Sequence, residues 1–397
     1  MKSLTSDQAV LWRQVWGLAA LLAAIVFSWM VYGFYQPRIL EQLGFSGLAA
    51  YLGVIQGILG AGIEPIVGIG SDRMMQRIGS RLPLIAVGVT LAGIIFVLAS
   101  LLLQVQVPVA MRWLIPVLMT LWVIAMIIFR GPAIALLMQF APTSKLPRAS
   151  SILVFVFGLV GALGPLLGSL IQALGTSLTF ALGAIVLLAG AMLLWSTNLQ
   201  TPLPPMTSVG PSPSAWQSTL IFGVGVGVGL EVNFLLRCFP TVLQPLIRGS
   251  NADYIAAAIL LVSALVALPI ERVTRKLGLR NAMLTGLGTM VALMGVALQT
   301  SDPGLAIALT LGFGVALGLL FITQIPFTLA LVPPTEAGWG TGLYFGGMGA
   351  ATALVSLLLQ SASAFPSMSA LVGSAIGFSA NALCISQVSY WKCSVRE

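Results

Sequence analysis

A chain of 397 residues that is 58% hydrophobic and only 7% charged, with a mean hydropathy of +1.04, cannot bury its apolar surface in a soluble core, so its solvent is lipid. The net charge of +8 does not point to nucleic acid, because the bases sit in short loops between apolar runs and not on one soluble face. Histidine is absent, and the 3 cysteines (Cys238, Cys384 and Cys393) form no CxxC, which excludes histidine-based metal sites and Ser-His or Cys-His catalysis; no enzyme activity and no cofactor are expected.

A bilayer core of about 30 Å takes roughly 20 apolar residues per helix. Runs of that size fall at about 14–35, 47–70, 82–103, 113–140, 150–173 and 178–196, then at about 216–240, 253–270, 281–299, 304–331, 339–361 and 367–389. This predicts an all-α membrane protein with twelve helices in two groups of six. Lys2 and Arg13 precede a first run that is too long for a signal peptide and has no clear small-residue cleavage site, so it reads as a retained helix. The stretch 198–215 holds five prolines and no charge and reads as an extended linker. The expected domains are therefore 1–197, a linker over 198–215, and 216–397.

Lys and Arg counts set the orientation. With the N-terminus cytoplasmic, thirteen bases lie on that side, clustered near Arg73, Lys145 and Arg272, and four outside: Arg38, Arg112, Arg237 and Arg248. One, Arg130, falls within helix four. The expectation is an inner-membrane protein with both termini cytoplasmic. Cys238 and Cys393 then lie on opposite sides and cannot pair.

The chain also repeats itself. A shift of 199 residues carries Asp72-Arg73 onto Glu271-Arg272, Arg77 onto Lys276, Gly79 onto Gly278, Arg81 onto Arg280, and Arg38 onto Arg237. A shift of 192 carries Pro142-Thr143 onto Pro334-Thr335. Two parallel, pseudo-symmetric six-helix bundles follow, related by an axis along the membrane normal.

Gly68 to Ile85 reads as a short, basic loop between helices two and three. Its Gly68, Asp72, Arg73, Arg77 and Gly79 resemble the signature of the major facilitator superfamily. The longer pattern from Pro65 through Ile85, together with Arg130, Pro132, Ala135-Leu136, Pro142 and Arg148-Ala149, resembles the glycoside–pentoside–hexuronide symporters and their sucrose-carrier relatives. Where that branch usually has an acid after the Ala-Leu, this chain has Gln139. The resemblance implies a secondary carrier working by alternating access. Its expected partners are a small-molecule solute, a proton or other cation and the lipid bilayer, and it is expected to act as a monomer. By the same resemblance, Asp72 stabilises the contact of helix two with helix eleven. A carboxylate is favourable at a helix N-terminus, and that of helix eleven lies near Pro334 to Gly338. The latch residues are then Gly68, Asp72, Arg73 and Arg77, with Glu271 and Arg272 as counterparts; topology marking is the plainer role of the bases.

Charges inside a bilayer are costly, roughly 2.5–3.5 kcal/mol each at mid-helix. Three fall deep: Glu64, Arg130 and Glu231. Glu64 shares a stripe with Gly68 and Asp72. Glu64 and Arg130 either pair structurally or contact solute. Glu231 lies near the midplane of helix seven, which by resemblance lines the cavity, and its counterpart under the 199 shift is Tyr32. A carboxyl in a dry site can take up a proton, so proton coupling through Glu231 is the favoured form. Gly223, Gly225, Gly227 and Gly229 give two small-x3-small pairs on different faces of helix seven, suited to tight packing. Gln56, Asn233 and Gln324 are candidate cavity amides. Arg38 and Arg237, at the outer mouth, either attract an anionic solute or anchor to lipid phosphate. The alternative is a non-transporting membrane protein of the same fold acting in pigment or lipid handling or in complex assembly.

Overall fold

The computed structural model describes residues 9–105, 108–198, 212–361 and 367–394. Most of the predicted linker, Lys2 and Arg396 lie outside the described residues, as does the side chain of Cys393. Among the described residues, twelve helices are long and apolar enough to cross a membrane. In chain order they are α1 (Trp12–Gln42), α2 (Ser46–Ile78), α3 (Leu82–Leu102), α4 (Leu114–Ala135), α5 (Leu146–Ala162), α6 (Thr176–Asn198), α7 (Ala215–Leu243), α8 (Ala252–Leu277), α9 (Leu279–Ala297), α10 (Pro303–Leu329), α11 (Ala337–Ser361) and α12 (Ser367–Ser394). No strand occurs among the described residues.

Three boundaries differ from the sequence expectation, each for a local reason. The basic stretch after Gly68 is helical as far as Ile78, so the loop to α3 shrinks to Gly79–Arg81. Gly79 ends α2 with φ +77 and its N–H bonded to Met75 O; only glycine takes that left-handed cap without strain. Gly278 holds the equivalent place after α8, also with φ +77. The predicted 150–173 run starts earlier, at Leu146 with Pro147 in its first turn, and breaks at Leu163. A second helix, Gly164–Leu174, follows, because Pro165 has no N–H to continue the ladder. The 113–140 run likewise divides at Leu136, leaving one turn over Leu137–Phe140.

Within the first half α1 packs on α5 and α6, α3 on α4 and α6, and α2 on α4. Within the second, α7 packs on α11 and α12, and α10 on α8 and α9. The halves meet along two seams, α2 against α11 and α5 against α8. Small residues make both seams close. A Cβ on Gly57 would stand 2.6 Å from Gly349 O, and one on Gly342 would stand 2.5 Å from Glu64 O. On the other seam, a Cβ on Gly158 would stand 2.6 Å from Leu260 O. These are backbone-to-backbone approaches that any side chain would hold apart.

Candidate functional site

The α2–α11 seam carries two polar centres. At its basic end the carboxylate of Asp72 caps α11: Gly338 N–H donates to Oδ1 at 2.9 Å and Trp339 N–H to Oδ2 at 2.6 Å. These are first-turn N–H groups with no partner inside their own helix. Gly68, one turn back, has no side chain to clash with the Gly338 carbonyl, which a Cβ there would overlap. A third donor comes from an unexpected place. Arg81 Nη2 reaches Asp72 Oδ1 at 2.6 Å, and the arginine is wholly buried. Arg73 and Arg77 are exposed instead. Helical geometry explains this: α2 continues past Asp72, so Arg73 and Arg77 follow its outward face while the turn at Gly79 folds Arg81 back.

The counterpart at α8 is built differently. Glu271 is only half-buried and makes no hydrogen bond or ion pair among the described residues, and Arg272 is exposed. The 199-residue shift preserves sequence and fold there, but the structure does not bring these two residues into a second capped contact.

The other centre lies two turns deeper. Arg130 of α4 donates through Nη2 to Glu64 Oε1 of α2. Glu64 is 1% exposed, whereas the Arg130 side chain keeps 28%. Both belong to the first half, yet α11 closes the site from the second: the guanidinium lies 4.8 Å from the Phe345 ring centroid, and Thr341 Oγ1, within hydrogen-bonding reach of Ala337 O at 3.0 Å and Gly338 O at 3.1 Å in its own helix, also lies 3.3 Å from Gly131 O. Glu64 Oε2 and Arg130 Nε have no hydrogen-bond partner among the described residues. The pair is thus compensated in charge and incompletely hydrogen-bonded, at a point touched by both halves.

Helix α7 sorts its glycines onto two faces. Gly225 and Gly229 lie against α11, at Gly347 and Met348, and the next turn brings Asn233, whose Nδ2 donates to Thr352 Oγ1 at 3.1 Å. Gly223 and Gly227 lie against α12, at Cys384 and Asn381, and the next turn brings Glu231, whose Cγ would stand 3.4 Å from a Cβ on Gly377. So Glu231 is turned toward α12 inside the second half, not toward the first half as a cavity-lining residue would be. It is 0% exposed, and neither carboxyl oxygen has a hydrogen-bond partner among the described residues.

The remaining candidates are dispersed. Gln56 Nε2 donates to Tyr32 OH at 2.6 Å, and Tyr32 stacks on Trp122 with centroids 4.6 Å apart. A cavity of about 10 Å³ lies beside that stack, among Phe96 and Phe180, roughly the space of one water. Gln324 Oε1 accepts from Tyr344 OH at 2.6 Å within the second half. Arg38 lies over the Phe34 ring at 3.8 Å, and Arg237 Nη1 donates to Ser356 Oγ at 3.0 Å. Both are exposed.

Residues 1–165 match the family model described as Major Facilitator Superfamily. Among solved structures, the human organic anion transporter MFSD10 (TETRAN) superposes with a TM-score of 0.70 at 12% identity, covering 96% of this chain and 100% of that one. The chain has the fold of a major facilitator transporter. A bacterial homologue of the iron transporter ferroportin, in its outward-facing state, is similar to the same degree, with a TM-score of 0.70 at 15% identity over 96% of this chain and 99% of that one. No curated protein sequence matches the chain.

Two of these features could not be found from the linear pattern. Arg81 looked like one more loop base, and only the left-handed turn at Gly79 turns it inward. Thr341 and Phe345 carry no motif of their own. Their one signal is the helical spacing from Gly338, the residue that meets Asp72.

Proposed function

We propose that this protein is a secondary active carrier that moves a small solute across the inner membrane by alternating access, driven by a proton or other cation. The observation that carries the reading is the Glu64–Arg130 pair, held in the first half and closed over by Thr341 and Phe345 of the second. Parting of the halves along the α2–α11 seam uncovers that pair, and docking covers it again. A buried ion pair that must be re-exposed in each cycle is a costly place to store charge, and it suits a solute that takes over part of the hydrogen bonding. The half-exposed guanidinium is the face such a solute would meet, and the free Oε2 of Glu64 is the second. Asp72 on the α11 N-terminus holds the basic end shut while the opposite end opens.

Glu231 is the coupling group in this reading, acting from within the second half. The positive-inside count supports cytoplasmic termini and so places the Asp72 latch on the cytoplasmic side. The motif likeness to the glycoside–pentoside–hexuronide branch supports symport as the mode. The family match over residues 1–165 and the transporter neighbours point to a carrier and not to an enzyme.

The test is flux into proteoliposomes for a panel of sugars, organic anions and organic cations under imposed proton and sodium gradients, comparing the wild type with Glu231→Gln. Gradient-driven uptake that is lost in the variant, with solute exchange retained, is the expected result. Absence of flux for every solute in the wild type would overturn the carrier reading in favour of a non-transporting role. Unchanged driven uptake in the variant would remove Glu231 from coupling.

A further inference from the structure

The seam between α7 and α12 holds a polar cluster that lies away from the contact of the two halves. Helix α12 turns Gly377, Asn381 and Cys384 toward α7, a stripe with helical steps of four and three. The opposing stripe of α7 is Gly223, Gly227 and Glu231. The glycines let the backbones touch: a Cβ on Gly227 would stand 2.7 Å from Gly377 O, and one on Gly377 would stand 2.9 Å from Gly227 O. Glu231 and Asn381 flank that crossing. A Cβ on Gly377 would meet Glu231 Cγ at 3.4 Å, and one on Gly227 would meet Asn381 Cγ at 2.7 Å. Ser374 is one turn from Gly377 on the same face.

Glu231, Ser374 and Asn381 are each 0% exposed. Both oxygens of Glu231, the Ser374 hydroxyl and both polar atoms of Asn381 lack a hydrogen-bond partner among the described residues. Buried polar groups are ordinarily paired, and buried charges even more so. Among the described residues, no base compensates this carboxylate. Helices α10 and α11 carry no charged residue, nor does α12 over Ser367–Gln387. The one charge on α9, Arg280, is exposed in its first turn. On α8, Asp253 lies in the first turn and Glu271, Arg272, Arg275 and Lys276 in the last two. Arg237, on the same helix as Glu231, donates to Ser356 on α11. The nearest thiol, Cys384, stands at the level of Gly223, two turns from Glu231. The position equivalent to Glu231 in the first half is Tyr32, whose hydroxyl is already served by Gln56.

We propose that Glu231, Asn381 and Ser374 form a binding site for Na⁺ between α7 and α12. The unpartnered donors are all oxygen: the carboxylate, the Asn381 amide oxygen and the Ser374 hydroxyl. Such a set selects a hard cation. One carboxylate balances one positive charge, whereas a divalent ion would leave a net charge buried in lipid. The site names the ion of the carrier reading and rests on that reading only for its link to transport.

The experiment needs no solute. The purified full chain is unfolded thermally in detergent, with NaCl replacing choline chloride at constant ionic strength and at several pH values. For the wild type, the apparent Tm rises saturably with Na⁺, by about 2 °C at a tenfold excess over the dissociation constant. Glu231→Gln loses that rise. Asn381→Ala and Ser374→Ala each move the half-saturating Na⁺ concentration upward by about threefold or more, and they carry the test if the Glu231 variant does not fold. An identical Tm in Na⁺ and choline overturns the site, as does a response to pH alone that is the same in both salts, which would assign the position to a proton. A Na⁺ response in a protein with no flux keeps the site and removes the carrier reading; flux without a Na⁺ response does the reverse.

Discussion

Arg81 reaches back nine residues to donate to Asp72 Oδ1 at 2.6 Å, while Asp72 receives two backbone N–H groups from the start of α11. One carboxylate therefore joins the α2–α3 turn to the opposite half. The Asp72→Asn substitution keeps the shape and removes the charge, leaving a wholly buried guanidinium uncompensated. Breaking a buried pair in this way costs about 3–5 kcal/mol, and the capping charge on α11 adds about 0.3–1 kcal/mol. Part of that loss falls on the docked form alone. Spin labels at exposed Arg77 and at Glu336, which precedes α11, should report a longer distance in Asp72→Asn. Arg81→Ala should lengthen it too, and Arg73→Ala should not, since Arg73 is exposed. Identical distance distributions in all three variants would show that the contact does not govern closure.

Glycines of α2 and α11 separate packing from helix propensity. Gly62 is exposed, with open space where a Cβ would go, so Gly62→Ala should be neutral or stabilise by up to about 1 kcal/mol through the better helix former. At Gly342 the same added methyl would stand 2.5 Å from Glu64 O and 3.1 Å from Pro65 Cα, where backbone must move. Overpacking of that kind costs about 1–3 kcal/mol and outweighs the propensity gain. A higher or unchanged Tm for Gly62→Ala with a lower one for Gly342→Ala is the expected pattern. The same sign for both would mean that the seam is looser than the backbone approach requires.

Much of this was legible in the sequence because the controlling effects are periodic. Twelve apolar runs of bilayer length yield twelve helices among the described residues, and Gly68 and Asp72, one turn apart on α2, meet the same helix, α11, as the resemblance implies, while Glu64 turns its carboxylate to Arg130 of α4. The two small-x3-small pairs of α7 likewise separate onto α11 and α12. What was not legible depends on contacts between distant segments. Which base of Arg73, Arg77 and Arg81 meets Asp72 is decided by a φ of +77 at Gly79, and the apolar pattern carries no trace of it. Glu231 falls within α7, and its rotational position is set by which glycine stripe meets which helix. The 199-residue repeat is faithful in sequence at Glu271, yet Glu271 does not take up the contact that Asp72 makes.

Arg38 and Arg237 have neutral companions, the Phe34 ring and the Ser356 hydroxyl, so neither charge is compensated by these partners. If they gather an anionic solute, the double substitution Arg38→Gln, Arg237→Gln should slow its initial uptake at low salt. The deficit should fade as ionic strength approaches 1 M, where the screening length is about 3 Å. A neutral solute should show no such dependence. Equal slowing of both solutes at every salt concentration would assign the arginines to membrane anchoring.

The Glu64–Arg130 pair permits a test that separates structure from transport. Glu64 is 1% exposed and Arg130 half-buried, so Glu64→Gln leaves a positive charge without its counter-ion, and Arg130→Gln leaves a negative one. Each single change should cost about 3–5 kcal/mol by the logic of a broken buried pair, visible as a lower Tm and poorer yield. The double variant Glu64→Gln, Arg130→Gln removes both charges at once and fits two amides into the same space. It should recover most of the loss, because the desolvation of the charges disappears along with their attraction. If the pair only held the first half together, transport should return with stability. If Arg130 meets the solute through the face it keeps exposed, the double variant should fold like the wild type and still fail to move solute, with Phe345 and Thr341 closing over a site that has lost its charge.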